Sequence, residues 1–320
     1  MTGAELFHNS PPHATPTFAG ASAPPYSAPM AQIAVVGPGA VGATFAAAAE
    51  RAGHAVSLHG RRAAPAPVVE LPGGEEHALA GPVAAVPGDA SPTRWVLLAV
   101  KTHQTAGVAD WLAALTGPES VVVVLQNGVE HRALVEPLAG PATVLPGIVW
   151  CPSEGVAPGR VRQRGPARIS VPDEPAGRAL AALLGDAAQV DVVADFLTES
   201  WRKLCLNAVA APMVVTGRRA EVYGDPEQLE LARRIAAECV AVSRAEGAKL
   251  GDETVDEIVA QVAGMPPDMG TSMLFDRLAG RRLEWDARNG VISRLGARHG
   301  IPTPASDAVV AQLRALDSPA

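Results

Sequence analysis

From Gln32 onward the chain alternates short, continuously apolar runs with segments of helical periodicity. QIAVVG (32–37) reads as a buried strand, AVGATFAAAAERAG (40–53) as a helix ending at Gly53, and HAVSLHG (54–60) as a second strand. After a Pro/Gly-rich stretch with short strand-like pieces, RWVLLAVK (94–101) and VVVVLQN (121–127) repeat the apolar form. A helical segment follows each, beginning near His103 and near Val129. Strands that are apolar throughout and alternate with helices imply a parallel sheet covered on both faces. TVLPGIVW, RVRQRG and ARISVP read as further strands with an antiparallel option, and QVDVVA as one more. After about Asp195 the strand signals stop, and helical patterns run through 198–216, 225–248, 252–263, 268–279 and 283–299. The pattern predicts an α/β domain followed by an all-α one.

Composition narrows the class. Apolar residues make up 48% and charged residues 18% of the 320 positions, a globular balance with room for two cores. A net charge of −7 disfavours nucleic acid or an anionic membrane as partner. No apolar run approaches the roughly 18 residues of a membrane span. Three cysteines, far apart in sequence, fit reduced thiols and a cytoplasmic location. No His/Cys/Asp cluster has ligand spacing, so no metal is expected. Residues 1–30 are rich in Pro, Ala and Ser and lack the pattern of a signal peptide, so a disordered tail is expected. Met30, two residues before the first strand, is a candidate start codon; native protein retaining Met1 would refute that.

The first strand runs into GPGAVG, which places Gly37, Gly39 and Gly42 in G-x-G-x-x-G spacing, with Pro38, Ala40 and Val41 between them. The first glycine permits the tight turn, the second lets backbone approach a pyrophosphate, and the third allows close helix–strand packing. Strand, loop and helix in that order specify a Rossmann-type dinucleotide-binding domain, here residues 31–195, followed by a helical substrate and catalytic domain, 196–320. The second strand then runs into Arg61 and Arg62 with no acid before Glu70. A carboxylate there would hold the free ribose of NAD, whereas a guanidinium can grip a 2′-phosphate, which favours NADPH. The alternative is a pair of arginines decorating a loop. Lys101 and Asn127 follow two strands of this sheet, where ligands of open parallel sheets bind. Each also has a plainer reading, Lys101 as a solvated helix start and Asn127–Gly128 as a turn. Gln126 is equally polar, and spacing does not choose between the two amides.

In the helical half, Lys203 and Asn207 stand four apart in SWRKLCLNAVAAPMVVTG (200–217) and project from one helix face, about 40° apart. Ketone reduction needs a proton donor, and a lysine whose pKa falls on burial suits it; the alternative is a lysine snorkelling along the surface. Ser272 and Asp276 are likewise four apart, and Glu284 opens the last of these helical patterns. Ser272 also reads as a helix cap, Asp276 as surface polarity and Glu284 as dipole compensation.

In order, GPGAVG, the arginine after the second strand, AVKTHQT, LQNGVE, WRKLCLN and TSMLFDRLAGRRLEWD resemble the motifs of the ketopantoate reductase (2-dehydropantoate 2-reductase) family, over roughly residues 32–304. The resemblance implies NADPH-dependent reduction of a 2-oxo acid, foremost 2-dehydropantoate to pantoate in pantothenate and CoA biosynthesis. It makes Lys203 the general acid and gives Glu284 the orientation of substrate and lysine. Asn207 and Ser272 would hydrogen-bond the substrate, Asn127 and Lys101 would line the cofactor side with Asn127 also reaching substrate, and Arg61 would take the 2′-phosphate. The partners it implies are a small 2-oxo acid and, as an open option, a second copy in a homodimer. One departure stands out: the family's second Asn, just before the proline, is here Ala211. A substrate group left unpaired there costs roughly 1–3 kcal/mol. That admits a relative acting on another 2-oxo acid or ketone; a non-catalytic NADPH-binding sensor is the rival from another class. Pro212 lacks an N–H for the carbonyl of residue 208, so a kink is expected beside the site.

Overall fold

The computed structural model describes residues 30–317; the expected tail, apart from Met30, lies outside the described residues. The first half is built on a parallel six-stranded sheet. In chain order come β1 (Gln32–Val36), α1 (Ala40–Arg51), β2 (Ala55–His59), β3 (Val68–Glu70), β4 (Glu76–Ala78) and β5 (Val83–Ala84). They are followed by β6 (Trp95–Leu98), α2 (Ala109–Leu115), β7 (Val121–Val124), α3 (His131–Ala139) and β8 (Thr143–Pro146). The sheet order β5-β2-β1-β6-β7-β8 brings the carboxyl ends of β1, β6 and β7 side by side. Alternation along β1 explains the two covered faces: Ile33 and Val35 join the core under α1, Ala34 and Val36 the core under α2 and α3. Burying a Phe45- or Leu98-sized side chain in such a core contributes about 1.5–3 kcal/mol.

Two small sheets extend this layer. β9 (Ile148–Trp150), β12 (Arg168–Pro172) and β13 (Gln189–Val193) form one, in which β12 pairs antiparallel to β9 and parallel to β13. β10 (Ser153–Ala157) and β11 (Arg160–Gln163) join β3 and β4 in the other, and α4 (Pro175–Leu184) follows β12. The run TVLPGIVW, read as one strand, is therefore two strands in different sheets. The division falls at Gly147, where a Cβ would lie 2.4 Å from Ile169 Cδ1.

After β13 no strand occurs among the described residues. Asp195 caps α5 (Phe196–Ala208), its side chain accepting a hydrogen bond from Thr198 N. The pattern 198–216 divides into α5 and α6 (Ala211–Thr216), and Pro212 supplies the reason. It has no N–H for Ala208 O, which accepts instead from Asn289 Nδ2 at 3.0 Å. The next carbonyl, Val209 O, accepts from Tyr223 Oη at 2.8 Å. The helical core then gathers α7 (Pro226–Ala245), α8 (Glu253–Ala263), α9 (Ser272–Leu278), α10 (Val291–His299) and α11 (Pro304–Asp317) around Trp201 and Leu204. The last helix, α11, lies beyond the helical patterns read from sequence. Cys205 and Cys239, 34 positions apart, meet where α5 packs on α7, with Sγ atoms 2.6 Å apart and both thiols free. No described helix is long and apolar enough to cross a membrane.

Candidate active site

The turn after β1 has the geometry that its glycines imply. Gly37 sits at φ 89°, and a Cβ there would press 2.6 Å from Val100 Cγ1. A Cβ on Gly42 would lie 2.3 Å from Gly37 O, so that glycine lets α1 pack onto the turn. Gly39 differs: nothing lies within 4 Å of a Cβ built on it, and it is the N-cap of α1, whose first turn carries no acid. Unpaired N–H groups and the positive helix end face open space there, which fits a dinucleotide pyrophosphate. Pro38, Ala40 and Val41 fill the turn between the glycines and stay partly exposed. Arg61 and Arg62 follow β2, the neighbour of β1, and both are exposed with no ion pair among the described residues.

Across the cleft a buried cluster ties the two halves together. Lys101 Nζ donates to Asp276 Oδ2 at 2.9 Å and to Glu284 Oε2 at 3.1 Å. Glu284 Oε1 accepts from Thr102 N at 2.9 Å, and its Oε2 from Asn127 Nδ2 at 3.3 Å. Asn207 Nδ2 reaches Asn127 Oδ1 at 3.4 Å. Of the two amides, Gln126 Nε2 donates to Val100 O and Thr105 Oγ1, while Asn127 joins Glu284 and Asn207. Burial alone would raise the Glu284 pKa, but the Lys101 charge and the Thr102 N–H hold it below the ordinary value. Burial likewise opposes the Lys101 charge, and the two carboxylates outweigh it, raising that pKa.

Lys203, on α5, has no such partner among the described residues. Its ammonium lies 3.8 Å from the centroid of the Trp150 ring, at the end of β9. The residue keeps some exposure along its length, yet protein atoms crowd the ammonium itself. Burial, helped by the Arg288 charge, lowers its pKa to about 7. Lys203, Asn207, Asn127, Gly128 and Ile148 line one narrow cleft.

Several expectations change. Glu284 was to orient Lys203, but its oxygens are taken by Lys101, Thr102 and Asn127, and no ion pair joins it to Lys203 among the described residues. Ser272 is the exposed first residue of α9, and the cap is Thr271, whose hydroxyl accepts from Leu274 N. Asp276 is no surface residue; it is buried against Lys101 and Arg281. Sequence reasoning missed Trp150, Thr102 and Arg288. Only the position of Thr102, one residue past Lys101 at a strand's carboxyl end, carried a signal. Among the described residues no group of three His, Cys, Asp or Glu is arranged to hold a metal.

A parallel sheet with a glycine turn open to a pyrophosphate, facing a helical domain that holds a near-neutral lysine, defines a dinucleotide-binding oxidoreductase. Two family models match: "Ketopantoate reductase PanE/ApbA" over residues 33–175 and "Ketopantoate reductase PanE/ApbA C terminal" over residues 195–317. The chain belongs to the ketopantoate reductase family. It is 46% identical over 285 residues to a 2-dehydropantoate 2-reductase of Mycobacterium tuberculosis, covering 88% of this chain and 97% of that one. A 2-dehydropantoate 2-reductase of Caulobacter vibrioides is 43% identical over 288 residues, covering 89% and 99%. The solved structure of a dimeric ketopantoate reductase from Staphylococcus aureus superposes with a TM-score of 0.81 at 25% identity, covering 89% and 98%.

Proposed function

We propose that the chain reduces 2-dehydropantoate to pantoate with NADPH, Lys203 acting as general acid. The observation that carries this reading is the Lys203 ammonium, crowded against Trp150 with its pKa lowered to about 7, in the cleft between the two halves. Its support from likeness is the 46% identity to a 2-dehydropantoate 2-reductase. Bound NADPH would supply the hydride. The turn from Gly37 to Gly42 would hold the pyrophosphate, and Arg61 the 2′-phosphate. Lys203 Nζ would give its proton to the C2 carbonyl oxygen, whose carbon would take the hydride and whose C=O electron pair would pass to that oxygen. Asn207 would hydrogen-bond the substrate, and Asn127 would face both ligands. Glu284, locked to Lys101 and Asn127, would keep that wall of the cleft fixed. Ser272, at the exposed start of α9, would reach substrate from the rim.

The same reading divides the chain into a dinucleotide domain (31–195) and a helical domain (196–320), works in the cytoplasm, and assembles as a homodimer. The support for the last is the dimeric relative from Staphylococcus aureus. The test is NADPH oxidation across a panel of 2-oxo acids. Highest kcat/KM on 2-dehydropantoate supports the proposal; a flat profile, or a better substrate elsewhere, refutes it. Ala211, buried where the family carries Asn, favours a second reading, a relative acting on another 2-oxo acid or ketone, which the same panel resolves. Tight NADPH binding with no turnover on any substrate would instead indicate a sensor.

A further inference from the structure

The stretch from Asp286 to Gly290 forms a π turn between Glu284 and α10, a widened turn of the kind that gathers at functional sites. Its Asn289 donates to Ala208 O and so pins the turn to the end of α5, one residue past Asn207. Arg288, in the same turn, is 4% exposed. Its Nε and Nη1 are buried and donate to nothing, and the guanidinium makes no hydrogen bond or ion pair among the described residues.

An unpaired buried guanidinium is a costly arrangement, because a charge removed from water needs a counter-charge and acceptors. The nearby carboxylates do not serve it. Glu284 and Asp276 are close enough to act on its charge, but their oxygens are engaged by Lys101, Thr102, Asn127 and Arg281. With Lys203 protonated, Lys101, Lys203, Arg281 and Arg288 stand against only two carboxylates, Glu284 and Asp276, an excess of positive charge that favours an anion. A planar fork of N–H donors matches a carboxylate bidentately, which an ammonium does not. Ala287, the residue before Arg288, packs against Gly128 of the cleft wall, its carbonyl oxygen 3.4 Å from where a Gly128 Cβ would stand.

We propose that the Arg288 guanidinium grips the substrate carboxylate. This rests on the reading that the substrate is a 2-oxo acid. Specificity for the acid then comes from the π turn, while Lys203 and Asn207 address the ketone end.

The test compares full-length wild type with Arg288→Gln and Arg288→Lys, using 2-dehydropantoate and its neutral carboxamide. Arg288→Gln is expected to raise KM for the acid roughly 10- to 100-fold, the range of a charged hydrogen bond. It should leave KM for the amide unchanged, and Arg288→Lys should recover part of the loss. An unchanged KM for the acid, or an equal rise for both compounds, overturns the proposal. If Arg288→Gln does not fold, Arg288→Lys decides: an acid-to-amide KM ratio equal to wild type overturns it, and a shifted ratio sustains it. If wild type fails to reduce 2-dehydropantoate, the functional reading falls, and calorimetry with pyruvate on the NADP+-loaded protein judges Arg288 separately. Wild-type binding that Arg288→Gln loses sustains the assignment; equal binding, or none by wild type, overturns it.

Discussion

Lys203 illustrates how the absence of a partner can define a residue. Lys101 has two carboxylates and its pKa rises; Lys203 has an aromatic face and a neighbouring cation, and its pKa falls to about 7. The proton is therefore held loosely enough to be given up near neutrality. Lys203→Ala is expected to lower kcat on the order of 10²–10⁴-fold with NADPH affinity nearly unchanged, as single-turnover and fluorescence titration would record. In wild type, kcat for reduction should fall as pH rises through about 7, where the donor loses its proton. The linked stability has the opposite sign. Between about 7 and the ordinary lysine value of 10.5 the unfolded chain binds a proton that the folded one does not. This group's contribution thus rises with pH across that window. Urea titrations should show that slope in wild type and its loss in Lys203→Met. At the other end of the cleft, Arg61→Ala/Arg62→Ala should weaken NADPH far more than NADH; an unchanged preference would assign the pair to the loop alone.

Among the elements, the break between α5 and α6 is the most instructive. The proline announced it in sequence, but the two groups that make it tolerable, Asn289 and Tyr223, come from distant turns. Tyr223→Phe leaves Val209 O buried without its donor and should lower unfolding stability by about 1–3 kcal/mol, measured in urea. Elements set by local pattern were legible: the β1–loop–α1 unit, the apolar strands and the face shared by Lys203 and Asn207. The division of TVLPGIVW was not, because nothing within the run marks Gly147; the reason lies in Ile169 on β12. The site was legible to the same limit. Spacing four apart put Lys203 with Asn207, whereas Trp150, Thr102 and Arg288 become site residues only once strand ends and a π turn converge. For Asp276, the plainer alternative of surface polarity falls for the same reason, since its partner is a lysine 175 positions away.

For the molecule as a whole, the Lys101 cluster fastens one half to the other. Lys101, Thr102 and Asn127 come from the sheet half, Asp276 and Glu284 from the helical half. Lys101→Met leaves Glu284 buried without its cation. The loss should fall at the low end of about 3–5 kcal/mol, because the lysine side chain is itself 39% exposed. A thermal melt with Tm equal to wild type would show that the fastening is dispensable. This cluster also sets an order of events during synthesis. Domains form as they leave the ribosome, amino-terminal first, so the dinucleotide half can condense while Lys101 is still in water. Its partners arrive 175 and 183 residues later. Nascent chains arrested before Asp276 would then have the nucleotide-binding turn but no closed cleft, so the stretch carrying Asp276 and Glu284 completes the catalyst.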